Sequence, residues 1–152
     1  MATKHDLLST LRSVQAGSIS PEEALLQMKL APFEDLGYAK VDYHRAVRQG
    51  ASEVIYGQSK TPEHIAGILE AMQRRDSSNI LVTRIEQKTA DWLAERFPLR
   101  YEPLAKLAVV LPRPTEQRGA IAVITGGTSD IGVAEEAAIT AETLGNRVTR
   151  LY

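Results

Sequence analysis

The stretch that most constrains this chain runs from Gly119 to Gly132. Ala120 to Ile124 is a short apolar run and reads as a buried parallel strand. It breaks at five small or polar residues, Gly126, Gly127, Thr128, Ser129 and Asp130. Beyond them, Ile131, Val133, Ala134, Ala137, Ala138, Ala141 and Leu144 recur at helical spacing. Gly145 ends that helix, and Arg147 to Tyr152 starts a second strand. Strand, small-residue turn, helix and strand together open a doubly wound α/β unit. In such sheets ligands sit at the carboxyl ends of the strands, where backbone N–H groups and a helix N-terminus favour anions. The turn is therefore the first candidate site. The hydroxyls of Thr128 and Ser129 suit a phosphate or carboxylate, and Asp130 suits a ribose hydroxyl or a proton to be steered. The competing reading is structural, a tight turn in which Ser129 or Asp130 caps the helix.

Upstream, the pattern is that of a helical hairpin followed by a small α/β domain. Leu7, Leu8, Leu11 and Val14 share one helical face between Asp6 and Gln15, and Gly17 stops it. Ser20, Pro21 and Glu23 carry a capping box that opens a second helix, in which Leu25, Leu26, Met28 and Leu30 are expected to bury against the first. Pro32 to Gly37 interrupts, Tyr38 to Asp42 reads as extended, and Tyr43 to Gly50 as one or two helical turns. Glu53 to Tyr56 is β-rich. Thr61, Pro62 and Glu63 start a helix to about Arg75 with Ile65, Ile68, Leu69 and Met72 inward. Asn79 to Arg84 is a second strand, so residues 38–111 carry a strand–helix–strand crossover. Gln87 to Phe97 reads as a helix with Ala90, Leu93, Ala94, Trp92 and Phe97 in the core, and Leu107 to Leu111 as a third strand.

The expected organisation is a domain over 1–112 (hairpin 4–30, α/β part 38–111), a linker over 113–119 with two prolines, and the start of a second domain over 120–152. One helix and about two strands cannot cover both faces of a parallel sheet, so the second domain reads as incomplete and the chain as a fragment.

Composition removes several function classes. The 152 residues carry a net charge of −1, which implies no bulk attraction to nucleic acid or to an anionic membrane. There is no apolar run of bilayer length and no signal-peptide core near Met1. The default is a cytoplasmic protein. The chain has no cysteine, which excludes a disulfide, a thiolate metal site and a thiol nucleophile of its own. His5, His44 and His64 are isolated and lack metal-ligand spacing, so no metal site is expected. No phosphate-binding loop of the Gly-x4-Gly-Lys-Ser/Thr type is present.

A second group of candidates is cationic. Arg45 and Arg48 are three apart and share a face. Lys60 follows a strand and Arg84 ends one, positions where α/β folds present side chains to ligands. An arginine fork suits a phosphate, although a lone arginine on a surface more often pairs with a carboxylate.

Two families resemble the turn. Thr125-Gly126 followed by Ile131-Gly132 resembles the glycine-rich turn of short-chain dehydrogenases, but Asp130 stands where that family has its middle glycine and would repel a pyrophosphate. Gly126-Gly127-Thr128-Ser129-Asp130 after a Val-Ile strand resembles more closely the Gly-Ser-x-Ser-Asp turn of aminoimidazole ribonucleotide carboxylases, the PurE family. Taken with Arg45-x2-Arg48-x-Gly50-x2-Glu53-Val54-Ile55, Gly57-x2-Lys60-Thr61 and Leu81-Val82-Thr83-Arg84, the whole chain resembles the front part of the LarB proteins, which join a PurE-like domain to a distinct N-terminal domain.

That resemblance implies a carboxylase/hydrolase acting on nicotinic acid adenine dinucleotide in nickel-pincer nucleotide cofactor synthesis. The pyridinium ring gains a carboxylate from carbon dioxide, and hydrolysis of the phosphoanhydride releases AMP. It also implies a cysteine nucleophile and a glutamate base, neither assignable here, so no catalytic residue is expected in this chain and the fragment is expected to be inactive. Substrate contacts would fall to Gly126, Gly127, Thr128, Ser129, Asp130, Arg45, Arg48, Lys60 and Arg84. No tightly bound cofactor is expected, and magnesium is the one ion entertained. The implied assembly is a homo-octamer. The rival readings are a noncatalytic nucleotide-binding or assembly module and an NAD-dependent oxidoreductase.

Overall fold

The computed structural model describes residues 4–30, 33–42 and 54–152. The fold is mixed α/β, as expected, with five helices and three small sheets among the described residues. The chain divides into two compact units, Met1–Glu53 with Gly67–Asp76, and Val54–Ala66 with Ser77–Tyr152.

The first unit begins with the helical hairpin, α1 Lys4–Gln15 and α2 Pro21–Leu30. Gly17, at φ 70°, takes the left-handed conformation that ends α1. The capping box forms as read: the Ser20 N–H donates to Glu23 Oε2 at 2.8 Å, and the Glu23 N–H donates to Ser20 Oγ at 3.0 Å. The expected burial does not hold for Leu25 and Leu26, which are exposed, as are Leu8 and Leu11, while Ala24 is buried; the side chains of Leu7, Met28 and Leu30 lie outside the described residues. Two short helices meeting along one line cover only a narrow stripe of each, and Leu25 and Leu26 lie off that stripe.

Pro32 to Gly37 is not a plain break. Strand β1, Phe33–Asp35, pairs antiparallel with β2, Lys40–Asp42. Gly37, at φ 82°, makes the turn, and its N–H donates to Asp35 Oδ1 at 2.8 Å. Arg74, just past helix α3 (Pro62–Gln73), donates to Glu34 Oε1 at 2.8 Å. A Cβ on Gly67 of α3 would lie 2.0 Å from the Tyr38 hydroxyl, so glycine is what lets the helix approach that ring.

In the second unit, β3 (Val54–Tyr56), β4 (Ile80–Thr83), β5 (Leu99–Glu102) and β6 (Leu107–Val110) form a four-stranded sheet in the order β3-β4-β6-β5. The β3–β4 pair is parallel, as a crossover through α3 requires, whereas β6 is antiparallel to both neighbours. The reversal comes from a tight hairpin: Lys106 at φ 50° sends its N–H to the Pro103 carbonyl at 3.2 Å. Every residue of β4 and β6 is buried. Alternation puts Leu81, Leu107 and Val109 on one face, where they cluster with Ala105 and with Ile139.

Helix α4, Gln87–Ala94, ends earlier than expected, although Phe97 still bonds its N–H to the Leu93 carbonyl and is buried. Ala94 is exposed rather than inward. Trp92 is also not core: it is half-buried, with the Arg96 guanidinium 3.7 Å from its ring centroid.

The last motif is β7 (Gly119–Ile124), a 3₁₀ turn (Thr128–Asp130), α5 (Ile131–Thr143) and β8 (Asn146–Leu151). β7 and β8 pair in parallel, Ile121 opposite Val148 and Val123 opposite Arg150. The strand is parallel as read but not buried. Ala120, Ala122, Ile124 and Leu151 share the face away from α5, and Ile124 is 70% exposed. A two-stranded sheet with one helix has one covered face only. The helix is split in the same way. Ala134, Ala138 and Ile139 are buried, while Val133, Ala137 and Leu144 stay exposed.

Residues 112–118 have no regular structure, yet they are pinned at both ends. Asn79 accepts from the Arg113 N–H at 2.8 Å and donates through Nδ2 to Thr115 Oγ1 at 3.0 Å. The Arg118 N–H donates to the Gly145 carbonyl at 2.7 Å. Gly145, at φ 89°, leaves room for the Glu116 carbonyl, which a Cβ would meet at 2.4 Å.

Candidate functional site

The turn stands at the carboxyl end of a parallel strand and opens a thirteen-residue helix, which is where the sequence places it. Gly127 is extended, at φ −154°, and its carbonyl accepts from the Asp130 N–H at 3.2 Å. No Cβ would meet anything within 4 Å at Gly126, and at Gly127 only Ser129 Oγ lies within range, at 3.9 Å. The glycines here are therefore not packing requirements. They leave open space in front of the turn.

Asp130 occupies the N-cap position of α5, but its side chain makes no capping hydrogen bond. Gly127, at the start of the 3₁₀ turn, has no side chain to offer. Thr128, Ser129 and Asp130 are exposed, and none of their side chains bonds to another described residue. The purely structural role for Ser129 or Asp130, capping through the side chain, is thus not what this geometry shows. The turn presents two hydroxyls, one carboxylate and the first N–H groups of a helix, which lack intrahelical partners. Such a set suits an oxyanion bearing hydroxyls, such as a ribose phosphate. Position is helped by Gly132, whose Cβ would lie 2.9 Å from the Leu104 carbonyl, so that glycine lets the first turn of α5 close on the β5–β6 hairpin.

Lys60 and Arg84 follow β3 and β4, whose last residues, Tyr56 and Thr83, are register partners. Both residues thus sit at the carboxyl end of one parallel pair. Gly57 makes the exit from β3 possible: its N–H donates to the Thr83 carbonyl at 2.8 Å, and a Cβ there would meet Ile85 Cγ2 at 2.3 Å. Lys60 turns back and donates to the Tyr56 carbonyl at 2.9 Å. Arg84 is held at φ 58° and points to α5, where its Nε lies 3.5 Å from Glu136 Oε2. No contact links Lys60 or Arg84 to the turn among the described residues. Arg45 and Arg48 lie outside the described residues.

Two participants went unread in the sequence. Glu136 is one: the adjacent acids Glu135 and Glu136 within the apolar stretch Ile131 to Ile139 are the signal. The other is Asn79, whose left-handed backbone (φ 53°) has no mark in the sequence beyond its residue type. No group of three histidine, aspartate or glutamate side chains among the described residues could hold a metal ion. No helix among them is long and apolar enough to cross a membrane.

The sequence comparisons agree with this architecture. An uncharacterized protein of Methanocaldococcus jannaschii is 31% identical over 157 residues, covering 97% of this chain and 60% of that protein. The chain therefore spans about three fifths of that relative's length. Residues 33–112, from β1 through the β5–β6 hairpin, match the LarB/PurE-like N-terminal domain, and the chain belongs to that family.

Proposed function

We propose that the full-length protein to which these residues belong serves as a carboxylase/hydrolase of nickel-pincer nucleotide cofactor synthesis, with nicotinic acid adenine dinucleotide and carbon dioxide as substrates, and that these 152 residues alone are inactive. In the first half-reaction a ring C–H bond is replaced by a C–carboxylate bond and a proton leaves. In the second, water breaks the phosphoanhydride and AMP departs. The observation that carries this reading is the uncommitted turn, Gly126 to Asp130, in a chain of this family.

Within that scheme the residues of this chain bind and orient. The N–H groups at the start of α5 and the hydroxyls of Thr128 and Ser129 hold a phosphate or carboxylate of the substrate. Asp130 accepts from a ribose hydroxyl. Lys60 and Arg84 add positive charge beside a neighbouring strand end. A homo-octamer, no tightly bound cofactor and magnesium as the one ion entertained belong to the same proposal. A second reading, a noncatalytic nucleotide-binding module, draws on the absence of cysteine from these 152 residues, since the implied thiolate chemistry cannot come from them.

The test is to incubate the full-length gene product with the dinucleotide and bicarbonate and follow AMP and the pyridinium product by mass spectrometry. Release of AMP with gain of one carboxylate supports the enzyme. Saturable dinucleotide binding with no AMP released favours the module.

A further inference from the structure

Beside α5 runs a shallow, open groove of about 500 Å³. It is lined by α5, by Ile121 of β7 and by Arg84. None of the turn residues takes part. Its walls are the part of α5 that packing left open, Ala137, Ala141 and Leu144. Its single cation is Arg84.

Arg84 is poorly engaged. Its one ion-pair contact is Nε to Glu136 at 3.5 Å, and it makes no hydrogen bond to any described residue. A guanidinium carries five N–H donors in a rigid fork, so nearly all of this one's bonding capacity is unspent. Arg150, on the same helix–strand unit, shows the contrast: its nitrogens make four hydrogen bonds to two glutamates. Arg84 is held in the left-handed region, at φ 58°, as are Ser59, Asp76, Asn79, Lys106 and Leu111.

We propose that this groove is a ligand site, separate from the turn, for a small amphiphile: an oxyanion head on Arg84 and an apolar body along α5. The helix from Glu136 to Leu144 gives the body roughly 12 Å of wall. Glu136 is the built-in competitor. Its carboxylate stands where the ligand's would, and a pair with one long contact, whose arginine is half exposed and whose glutamate is a quarter exposed, can give way to a better-placed oxyanion. The ligand's head takes the planar fork, and Ala137, Ala141 and Leu144 lose water to its body. This inference does not use the enzymatic reading above, but it claims for the groove the same Arg84 that the reading lends to the substrate.

Octanoate and inorganic phosphate are the probes, titrated into the full chain by NMR with the methyl signals of Ala137 and Leu144 as reporters. Octanoate saturates and moves both methyls. Arg84→Gln weakens it at least tenfold, and Arg84→Lys, which keeps the charge but not the fork, falls between. Glu136→Gln tightens binding about twofold to fivefold by removing the competitor. Phosphate, a head without a body, binds more weakly than octanoate. The proposal is overturned if octanoate shows no saturable shifts, if Arg84→Gln binds it as the parent does, or if Glu136→Gln weakens it. Phosphate binding as tightly as octanoate removes the apolar body from the site.

Discussion

Arg150 of β8 holds Glu142 of α5 with both terminal nitrogens, one on each carboxylate oxygen, while its Nε reaches Glu135 at 3.1 Å. Glu135 and Glu142 are seven residues apart, two helical turns, and so lie on one face. One guanidinium therefore sets both the rotation and the axial position of α5 on β8. Since α5 begins at the turn, this clamp also fixes where the turn points.

The clamp gives stability a pH dependence. Bonding to Arg150 holds the Glu142 carboxyl below its ordinary value of 4.5. A depressed carboxylate contributes its full stability above the unfolded value, and that contribution fades as pH falls through the lowered folded value. Glu142→Gln should therefore destabilise the chain by about 1 kcal/mol at pH 7. The gap to the parent should narrow below pH 4.5 and close in stronger acid. Urea unfolding at pH 7 and in acid measures both. A gap that persists undiminished in acid would show that shape, not charge, is what Glu142 supplies.

Gly57 tests the exit from β3. A Cβ there would lie 2.3 Å from Ile85 Cγ2 and 2.8 Å from the Thr83 carbonyl. The methyl of Ile85 can shift, but the strand backbone cannot without breaking the register of β3 on β4. Gly57→Ala should cost about 1–3 kcal/mol, the usual range for overpacking. Thermal unfolding reads the loss, and hydrogen exchange should place it at the Gly57 N–H, which bonds to Thr83.

Asn79 pins the segment that reads as a linker. Asn79→Ala removes both side-chain bonds, to the Arg113 N–H and to Thr115 Oγ1, while Asn79→Asp keeps an acceptor for the first. At about 1 kcal/mol for each bond, alanine should lose at least twice what aspartate does, since alanine also fits φ 53° poorly and aspartate tolerates it. Limited proteolysis should then cut within 112–118 faster in the order alanine, aspartate, parent. Equal cutting of all three would mean that the Arg118 to Gly145 bond suffices alone.

Local chemistry made much of this architecture readable. The Ser20–Glu23 box, the proline-led start of α3 and its inward Ile65, Ile68, Leu69 and Met72 all follow from short-range rules, and all hold. Strands β1 and β5 are not legible in the sequence, because Phe33–Asp35 and Leu99–Glu102 are three or four residues long and mix charge with apolar groups. Pairing makes them strands, and pairing is not local. Burial cannot be read locally where it depends on a partner element. Ala120 to Ile124 has the composition of a buried strand, but only one face of it is covered. Trp92 looked like core and instead stacks with Arg96, one helical turn away. The sequence puts the turn before α5 and Arg84 just past β4, but it does not show Glu136 beside Arg84, because an ion pair between the residue after β4 and α5 depends on how the two elements pack.

The turn itself separates packing from binding. The side chains of Thr128, Ser129 and Asp130 are exposed and bond to no described residue, so truncating them removes no intramolecular contact. Thr128→Ala, Ser129→Ala and Asp130→Ala should each change stability by less than about 0.5 kcal/mol, the usual limit for surface changes. If the turn holds a nucleotide, the same variants should weaken AMP binding severalfold, with Thr128→Ala and Ser129→Ala acting through the phosphate and Asp130→Ala through the ribose. Ribose 5-phosphate and adenosine separate the two: the hydroxyl variants should lose the first, and Asp130→Ala should weaken both. Isothermal titration with chemical unfolding on the same samples gives both quantities. A loss of stability above 1 kcal/mol at Asp130, with AMP affinity unchanged, would return that residue to the role of helix cap and remove the turn from the binding site.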